Sequence, residues 1–179
     1  MATFGTVLGV TDGNVKVYSS NYKSEKNKSS VASHHGVFTG YKWQCVELAR
    51  RYWLVNFGVV FDSIPMAFDI FDLKTAREVA TNRSIPLEHH ANGSSSCLPN
   101  RGSLLIWDAV GEMFSVTGHV AVVVNATPAF VDIVEQNVLN KVWDNAKYSR
   151  RLPVALVSNS FTVFCTFEGS KILGWVTHM

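Results

Sequence analysis

Three residues of this chain have the types and the order that nucleophilic catalysis by a thiol requires. Cys45 stands in the run Gly40-Tyr-Lys-Trp-Gln-Cys-Val-Glu-Leu-Ala-Arg-Arg-Tyr52, where a loop turns into an amphipathic helix. His119 follows Gly118 and opens the stretch Val120-Ala-Val-Val-Val124, and Glu135-Gln-Asn137 closes the next apolar stretch. The thiolate is the nucleophilic form of cysteine, and its free pKa of about 8.5 falls at a helix N-terminus or beside an imidazolium. A later histidine can take the thiol proton, and a carboxylate or amide can hold the second ring nitrogen in one tautomer. Glu135 is the preferred partner over Asn137, because a carboxylate also stabilises the imidazolium. Asn137 is then a substrate-side donor or a second orienting group. Gln44, directly before the cysteine, could help hold an oxyanion beside backbone N–H groups. These parts point to a thiol hydrolase acting on an amide bond. A lone cysteine on a helix is otherwise a small buried apolar residue, and it is the company of Gln44, His119 and Glu135 that separates Cys45 from that role.

The remaining candidates carry less. Trp43 could wall a cleft next to Gln44, and Arg50, little more than a turn after Cys45, could reach substrate carbonyls or a carboxylate. The alternative for Arg50 is a surface pair with Glu47 at i, i+3. Cys97 reads as incidental in a polar loop, and Cys165 as part of an apolar core strand. His34-His35 and His89-His90 are adjacent pairs without Cys-x-x-Cys or His-x-x-x-His spacing, so no metal site is expected. There is no phosphate-binding glycine loop and no dinucleotide fingerprint, and no cofactor is implied.

The elements that must position these residues follow from periodicity. Cys45 to about Asn56 carries Val46, Ala49 and Trp53 on one stripe, with Leu48, Tyr52 and Val55 beside it, ending at Gly58; this predicts a deeply buried helix. A second helix is predicted from Ala67 to Ala80 behind Pro65. Short strands are expected at Thr6–Val10 and Val15–Tyr18 about an Asp-Gly turn. Others follow at Ser103–Trp107, His119–Val124, Phe130–Glu135, Ala155–Val157, Phe161–Phe167 and Ile172–Val176. Ser19–Ser33 and His89–Arg101 read as polar loops, the first as the segment most prone to disorder. Glu135 and Asn137 are placed on the same side of a strand. Helices first and strands after, with short turns, predict an α+β fold: N-terminal helices packed on a mostly antiparallel sheet, in one domain over residues 1–179.

Composition narrows the class. The chain has 179 residues, 47% hydrophobic and 17% charged, with a net charge of +2 from 16 basic and 14 acidic residues. That excludes disorder and gives no case for nucleic acid or an anionic membrane as partner. Three cysteines, without close pairing, argue against a disulfide scaffold. No signal peptide or bilayer-spanning stretch is visible, so a cytoplasmic location is expected.

At the residues quoted above the chain resembles the cysteine, histidine-dependent amidohydrolase/peptidase (CHAP) family, a papain-like group. It is most similar to the branch of amidase domains joined to glutathionylspermidine and trypanothione synthetases. The resemblance is carried by Phe4-Gly-Thr-Val-Leu-Gly9, Tyr18-Ser-Ser20, Gly40 to Arg51, Leu104-Leu-Ile-Trp107, Gly118-His-Val-Ala121, Glu135-Gln-Asn137 and Ile172-Leu-Gly-Trp175. It implies a papain-like fold, and hydrolysis of the amide between the glycine carboxyl of glutathione and a polyamine such as spermidine. It also implies Cys45 as nucleophile, His119 as base, Glu135 as third member, Ser20 among the substrate-binding residues and a related synthetase chain as partner. A low-pKa, accessible thiolate at Cys45 is in addition expected to be oxidation-sensitive. Two alternatives remain: a peptidoglycan amidase or endopeptidase of the broader family, and a non-catalytic module that binds such conjugates or a protein partner.

Overall fold

In the computed structural model, which describes residues 1–24, 30–144 and 146–178, two hairpins precede one long helix, and a wide sheet follows. The hairpins pair β1 (Val7–Val10) with β2 (Lys16–Tyr18) and β3 (Val31–His34) with β4 (Val37–Tyr41). Helix α1 (Cys45–Phe57) comes next. The remaining elements are β5 (Val59–Val60), a 3-10 turn (Ala67–Asp72), β6 (Thr75–Glu78), β7 (Ser84–Ala91), β8 (Leu104–Trp107), the single turn α2 (Gly111–Phe114), β9 (His119–Ala126), β10 (Phe130–Val134), β11 (Arg150–Val157), β12 (Ser160–Val163) and β13 (Ile172–His178). Nine strands form one sheet in the order β12-β11-β10-β9-β8-β13-β7-β6-β5, and each pairing among the described residues is antiparallel. The chain is α+β.

The sheet is buried on both faces, so its central strands read as continuous apolar runs. Leu104, Ile106, Val120 and Val122 pack with Leu48, Ala49, Tyr52 and Trp53 of α1 on one face. Their neighbours Leu105, Trp107, Ala121 and Val123 join Ile133, Leu152 and Trp175 on the other. Each large apolar side chain buried this way contributes about 1.5–3 kcal/mol. The Trp53 indole N–H also donates to the Gly102 carbonyl at 2.7 Å, tying α1 to the entry of β8. Gly58 ends α1 at φ 68°, its N–H bonding the carbonyls of Leu54 and Trp53. Of the central strands β9 packs most closely under α1, and the loop after β10 reaches the helix's first turn through Gln136.

Several expectations do not hold. Residues 67–80 are not a helix: only a 3-10 turn forms, burying Ala67 and Ile70, and Leu73 is extended at φ −62°, ψ 133°. The chain then enters β6, whose Thr75, Ala76 and Arg77 lie opposite Pro86, Ile85 and Ser84 of β7. Sheet hydrogen bonding and burial of Ala76 between exposed neighbours override a helical spacing that rested on few apolar residues. The predicted loop from His89 likewise starts inside β7, where His89 and His90 face Val176 and Trp175 of β13. In the predicted loop from Ser19 to Ser33, Ser19 and Ser20 are buried and Val31 begins β3. Of the segment expected to be most prone to disorder, residues 25–29 lie outside the described residues. β10 ends at Val134, so Glu135 and Asn137 belong to a loop, with Asn137 at φ 65°. Cys165 follows β12 rather than lying within it, and its sulfur accepts the Trp107 indole N–H at 3.1 Å. No helix among the described residues is long and apolar enough to cross a membrane.

Candidate active site

Cys45 is the first residue of α1. Gln44 before it is extended, at φ −77°, ψ 160°, and makes no side-chain cap, so the first-turn N–H groups are left to other acceptors. Gly40 lets β4 pass tightly over this turn: a Cβ there would lie 3.1 Å from Glu47 Cα. Cys45 is 7% exposed. Burial alone pushes its pKa up, but the hydrogen bond and charge of His119, joined by the N–H groups of Val120 and Val46, bring it below the ordinary thiol value.

His119 is delivered by a glycine-dependent turn. Gly118 has φ 62°, and a Cβ at that position would sit 2.5 Å from the Trp107 carbonyl oxygen. β9 then starts at His119 with its backbone opposite Trp107. The imidazole is stacked on Phe114, with ring centroids 4.6 Å apart and planes 3° from parallel, and Trp107 lies at 5.3 Å. These rings keep water from the imidazole and fix its plane. Nε2 is 3.0 Å from Glu135 Oε2, which leaves Nδ1 as the nitrogen for Cys45. Burial pushes the His119 pKa down, but hydrogen bonds and charges from Cys45 and Glu135 outweigh it and raise it to about 9. Glu135 is 3% exposed. Burial pushes its carboxyl up, yet His119 and Arg150 hold it below the usual carboxylate value. The arrangement is a buried chain of thiol, imidazole and carboxylate whose charges stabilise each other.

The structure therefore brings Cys45, His119 and Glu135 together. It places Gln44 and Asn137 in a second network at the rim. Gln44 Nε2 donates to Tyr22 Oη at 2.7 Å, and Gln44 Oε1 accepts from Asn137 Nδ2 at 3.1 Å. Tyr22 in turn donates to the Lys42 carbonyl at 2.8 Å, and burial raises its pKa to about 12, so it stays a neutral donor. Asn137 thus orients Gln44 and makes no bond to His119. Ser20 is 2% exposed and donates to Asn137 Oδ1 at 2.9 Å, so it supports this network from beneath rather than facing a ligand. Trp43 stacks on Tyr18 at 4.0 Å and is absent from the walls of the cleft beside Cys45. That cleft encloses about 300 Å³ between Tyr41, Gln44 and Cys45 on one side and Ile64, Pro65 and Thr117 on the other.

Arg50 is a correction. It is 5% exposed, its guanidinium donates to the carbonyl oxygens of Phe61 and Phe38, and it lies between the Phe38 and Phe61 rings. A guanidinium so engaged is not available to a substrate, and the pair with Glu47 does not form either. Glu47 pairs with Arg51, at 2.7 Å.

Three groups around the site were not anticipated. Gln136, fully buried, accepts from the Tyr18 N–H (2.9 Å) and Arg51 Nη2 (3.1 Å). It donates to the Gln44 carbonyl (3.1 Å) and Glu47 Oε2 (3.0 Å), pinning the loop that carries Glu135 to the helix start that carries Cys45. Phe114 supplies the stacked ring. Arg150 grips Glu135 through Nε at 2.5 Å and Nη2 at 3.0 Å. A signal for Arg150 was present: Asp132 and Glu135 sit in an apolar stretch and need countercharges, and Arg150-Arg151 is a cationic pair further on. Among the described residues no cluster of three or more His, Cys, Asp or Glu side chains could hold a metal ion.

Comparison with known proteins supplies the wider setting. The CHAP domain model matches residues 36–137. The chain is 40% identical over 182 residues to the bifunctional glutathionylspermidine synthetase/amidase of Escherichia coli (strain K12), covering 98% of this chain and 29% of that protein. The same figures hold for the protein of that name from Shigella flexneri. A trypanothione synthetase of Crithidia fasciculata is 30% identical over 177 residues, covering 97% of this chain and 26% of the relative. The chain thus spans under a third of the length of these relatives.

Proposed function

Because the chain belongs to the CHAP domain family, we propose that it is a cysteine amidase whose substrate is an amide joining the glycine carboxyl of glutathione to a polyamine, as in glutathionylspermidine. The carrying observation is the bond of 3.0 Å between His119 Nε2 and a buried Glu135, with Cys45 at the start of α1 beside a cleft and its thiol pKa lowered by His119. The names of the relatives, which pair a synthetase with an amidase on glutathionylspermidine, support the substrate class.

In this reading the Cys45 thiolate attacks the amide carbonyl carbon. The oxyanion forms at the N-terminus of α1, where backbone N–H groups converge. Gln44 adds to them: its amide nitrogen carries two hydrogens, one directed to Tyr22 Oη and the second left for the oxyanion. The imidazolium of His119 gives its Nδ1 proton to the leaving amine, and a thioester remains on Cys45. His119, now neutral, takes a proton from water, which attacks the thioester and releases the free carboxylate and the thiolate. Glu135 holds the ring through both steps and favours its charged form. The whole of residues 1–179 acts as one amidase unit, in a reducing cytoplasm that keeps the thiol free, with a synthetase as partner.

The test offers the purified protein glutathionylspermidine, other glutathione amides and purified peptidoglycan, with the products read by mass spectrometry. Free glutathione and polyamine from the first, with peptidoglycan untouched, support the reading. Release of peptide from peptidoglycan alone would move the activity to wall hydrolysis. No turnover of any amide, with Cys45 showing an ordinary thiol titration, would leave a binding module.

A further inference from the structure

Glu135 is unusual in how completely its carboxylate is held. Oε2 faces His119 Nε2 at 3.0 Å, and the guanidinium of Arg150 closes on both oxygens, Nε to Oε1 at 2.5 Å and Nη2 to Oε2 at 3.0 Å. Arg150 is itself fixed. Its Nη1 donates to Thr166 Oγ1 at 2.8 Å, its plane lies over the Phe167 ring at 4.3 Å, and its side chain is 12% exposed. It projects from the first residue of β11, whose backbone lies opposite Ile133, so the strand register sets it beside the loop after β10. A rigid fork on a rigid strand can orient a carboxylate that sits on a loop.

We propose that Arg150 is a fourth, positioning member of the site, clamping Glu135 so that one lone pair of Oε2 stays aimed at His119. This rests on the reading of Cys45, His119 and Glu135 as the catalytic group. Without the clamp, Glu135 can rotate about its terminal bonds and lose the direction of its bond to the imidazole. The guanidinium also balances charge. The site holds a thiolate, an imidazolium and a carboxylate out of water, and Arg150 makes the set neutral. The groups that face Glu135 are His119 from β9 and Arg150 from β11. Lys141, Asp144 and Tyr148 line the adjoining pocket, the first two paired with each other at 3.3 Å. Cys45 faces the far side of His119, with Phe114 and Trp107 against the ring. Arg150 is therefore the permanent cation at this carboxylate, beside the titrating imidazole of His119.

Two substitutions separate geometry from charge. Arg150→Lys keeps a cation but removes the fork; kcat should fall roughly tenfold to a hundredfold, since a small misdirection of a catalytic group costs about that much. KM should hold, and both limbs of the pH profile should stay in place. Arg150→Met removes the cation as well. Loss of a positive charge raises the pKa of every group around it, so both limbs should also move to higher pH. The limbs are read two ways: from kcat/KM, and from the pH dependence of alkylation of Cys45 by iodoacetamide, which needs no substrate. Thr166→Val, which leaves Arg150 in place but frees one of its hydrogen bonds, should show the kcat effect in weaker form. If Arg150→Met does not fold, Arg150→Lys and Thr166→Val still decide, because neither removes the charge. A folded Arg150→Lys enzyme with wild-type kcat would overturn the proposal, as would an Arg150→Met profile with unmoved limbs. Either result beside an inactive Cys45→Ala would leave the catalytic reading standing; an active Cys45→Ala would remove that reading itself.

Discussion

Gly118→Ala tests whether the placement of His119 depends on a glycine. At φ 62° an L side chain is strained by about 1–2 kcal/mol. The new methyl would also lie 2.5 Å from the Trp107 carbonyl oxygen and 3.0 Å from Phe68 Cβ, where ordinary contact begins at 3.4 Å. Trp107 is held, since it belongs to β8 and lies opposite His119 in the ladder, and Phe68, in the 3-10 turn, bonds the Thr117 carbonyl through its N–H. The backbone before His119 must then shift by about 1 Å, and local overpacking costs about 1–3 kcal/mol more. The total, roughly 2–5 kcal/mol, lowers Tm by about 4–20 °C in a domain of this size. The same shift displaces the imidazole from Cys45 and Glu135, and a misplacement near 1 Å costs about a hundredfold in rate. Steady-state kcat/KM, taken well below the variant's melting temperature, and a thermal melt check the two effects separately. A Gly118→Ala protein within threefold of wild type in kcat/KM would refute the argument, even if its Tm fell. It would mean that the turn does not set the position of His119.

Three further outcomes follow from the structure. The pH profile of kcat/KM should be a bell: the thiolate forms as pH rises through the depressed pKa of Cys45, and the imidazolium is lost as pH rises through the elevated pKa of His119, about 9. Glu135→Gln should bring the alkaline limb down toward the ordinary imidazole value, because the anion that favours imidazolium is gone; a limb that does not move contradicts the role of Glu135. Arg50→Met should cost about 2–4 kcal/mol in a denaturant melt by leaving the buried carbonyls of Phe61 and Phe38 without their donor. It should leave KM within about threefold in the same sample, whereas a large rise in KM without loss of stability would return Arg50 to the substrate.

Local patterns made part of this molecule legible. The apolar stripe from Val46 to Trp53, with Gly58 after it, specified α1, and the valine-rich run after His119 specified a central strand. The region between Pro65 and Ala91 was misread because its strands sit near one edge of the sheet and carry weak patterns. Ile85 and Leu87 do alternate with exposed residues, but Pro86 between them disguises a strand. Cys45, His119 and Glu135 were findable because each follows a local mark: a helix start, a glycine and the end of an apolar run. Their supports are long-range and carry no such mark. Ser20 meets Asn137, and Gln136 meets Arg51 and Tyr18, only once β2, α1 and the loop after β10 are assembled. Arg50 shows the opposite failure. Proximity in sequence to Cys45 suggested a substrate contact, but five residues of helix carry Arg50 roughly 140° around the axis from Cys45, and its guanidinium meets the carbonyls of β4 and of the segment after β5.

The central claim is that Cys45 carries the acyl group of a cleaved amide. Its most direct measurement is the intact mass of the protein rapidly quenched in acid during turnover of glutathionylspermidine, followed by peptide mapping. The account predicts an added glutathionyl acyl group, held as a thioester on the peptide that contains Cys45, removed by hydroxylamine and missing in Cys45→Ala. A Cys45→Ala protein that still releases spermidine at the wild-type rate, or an acyl adduct on Cys97 or Cys165, would contradict it.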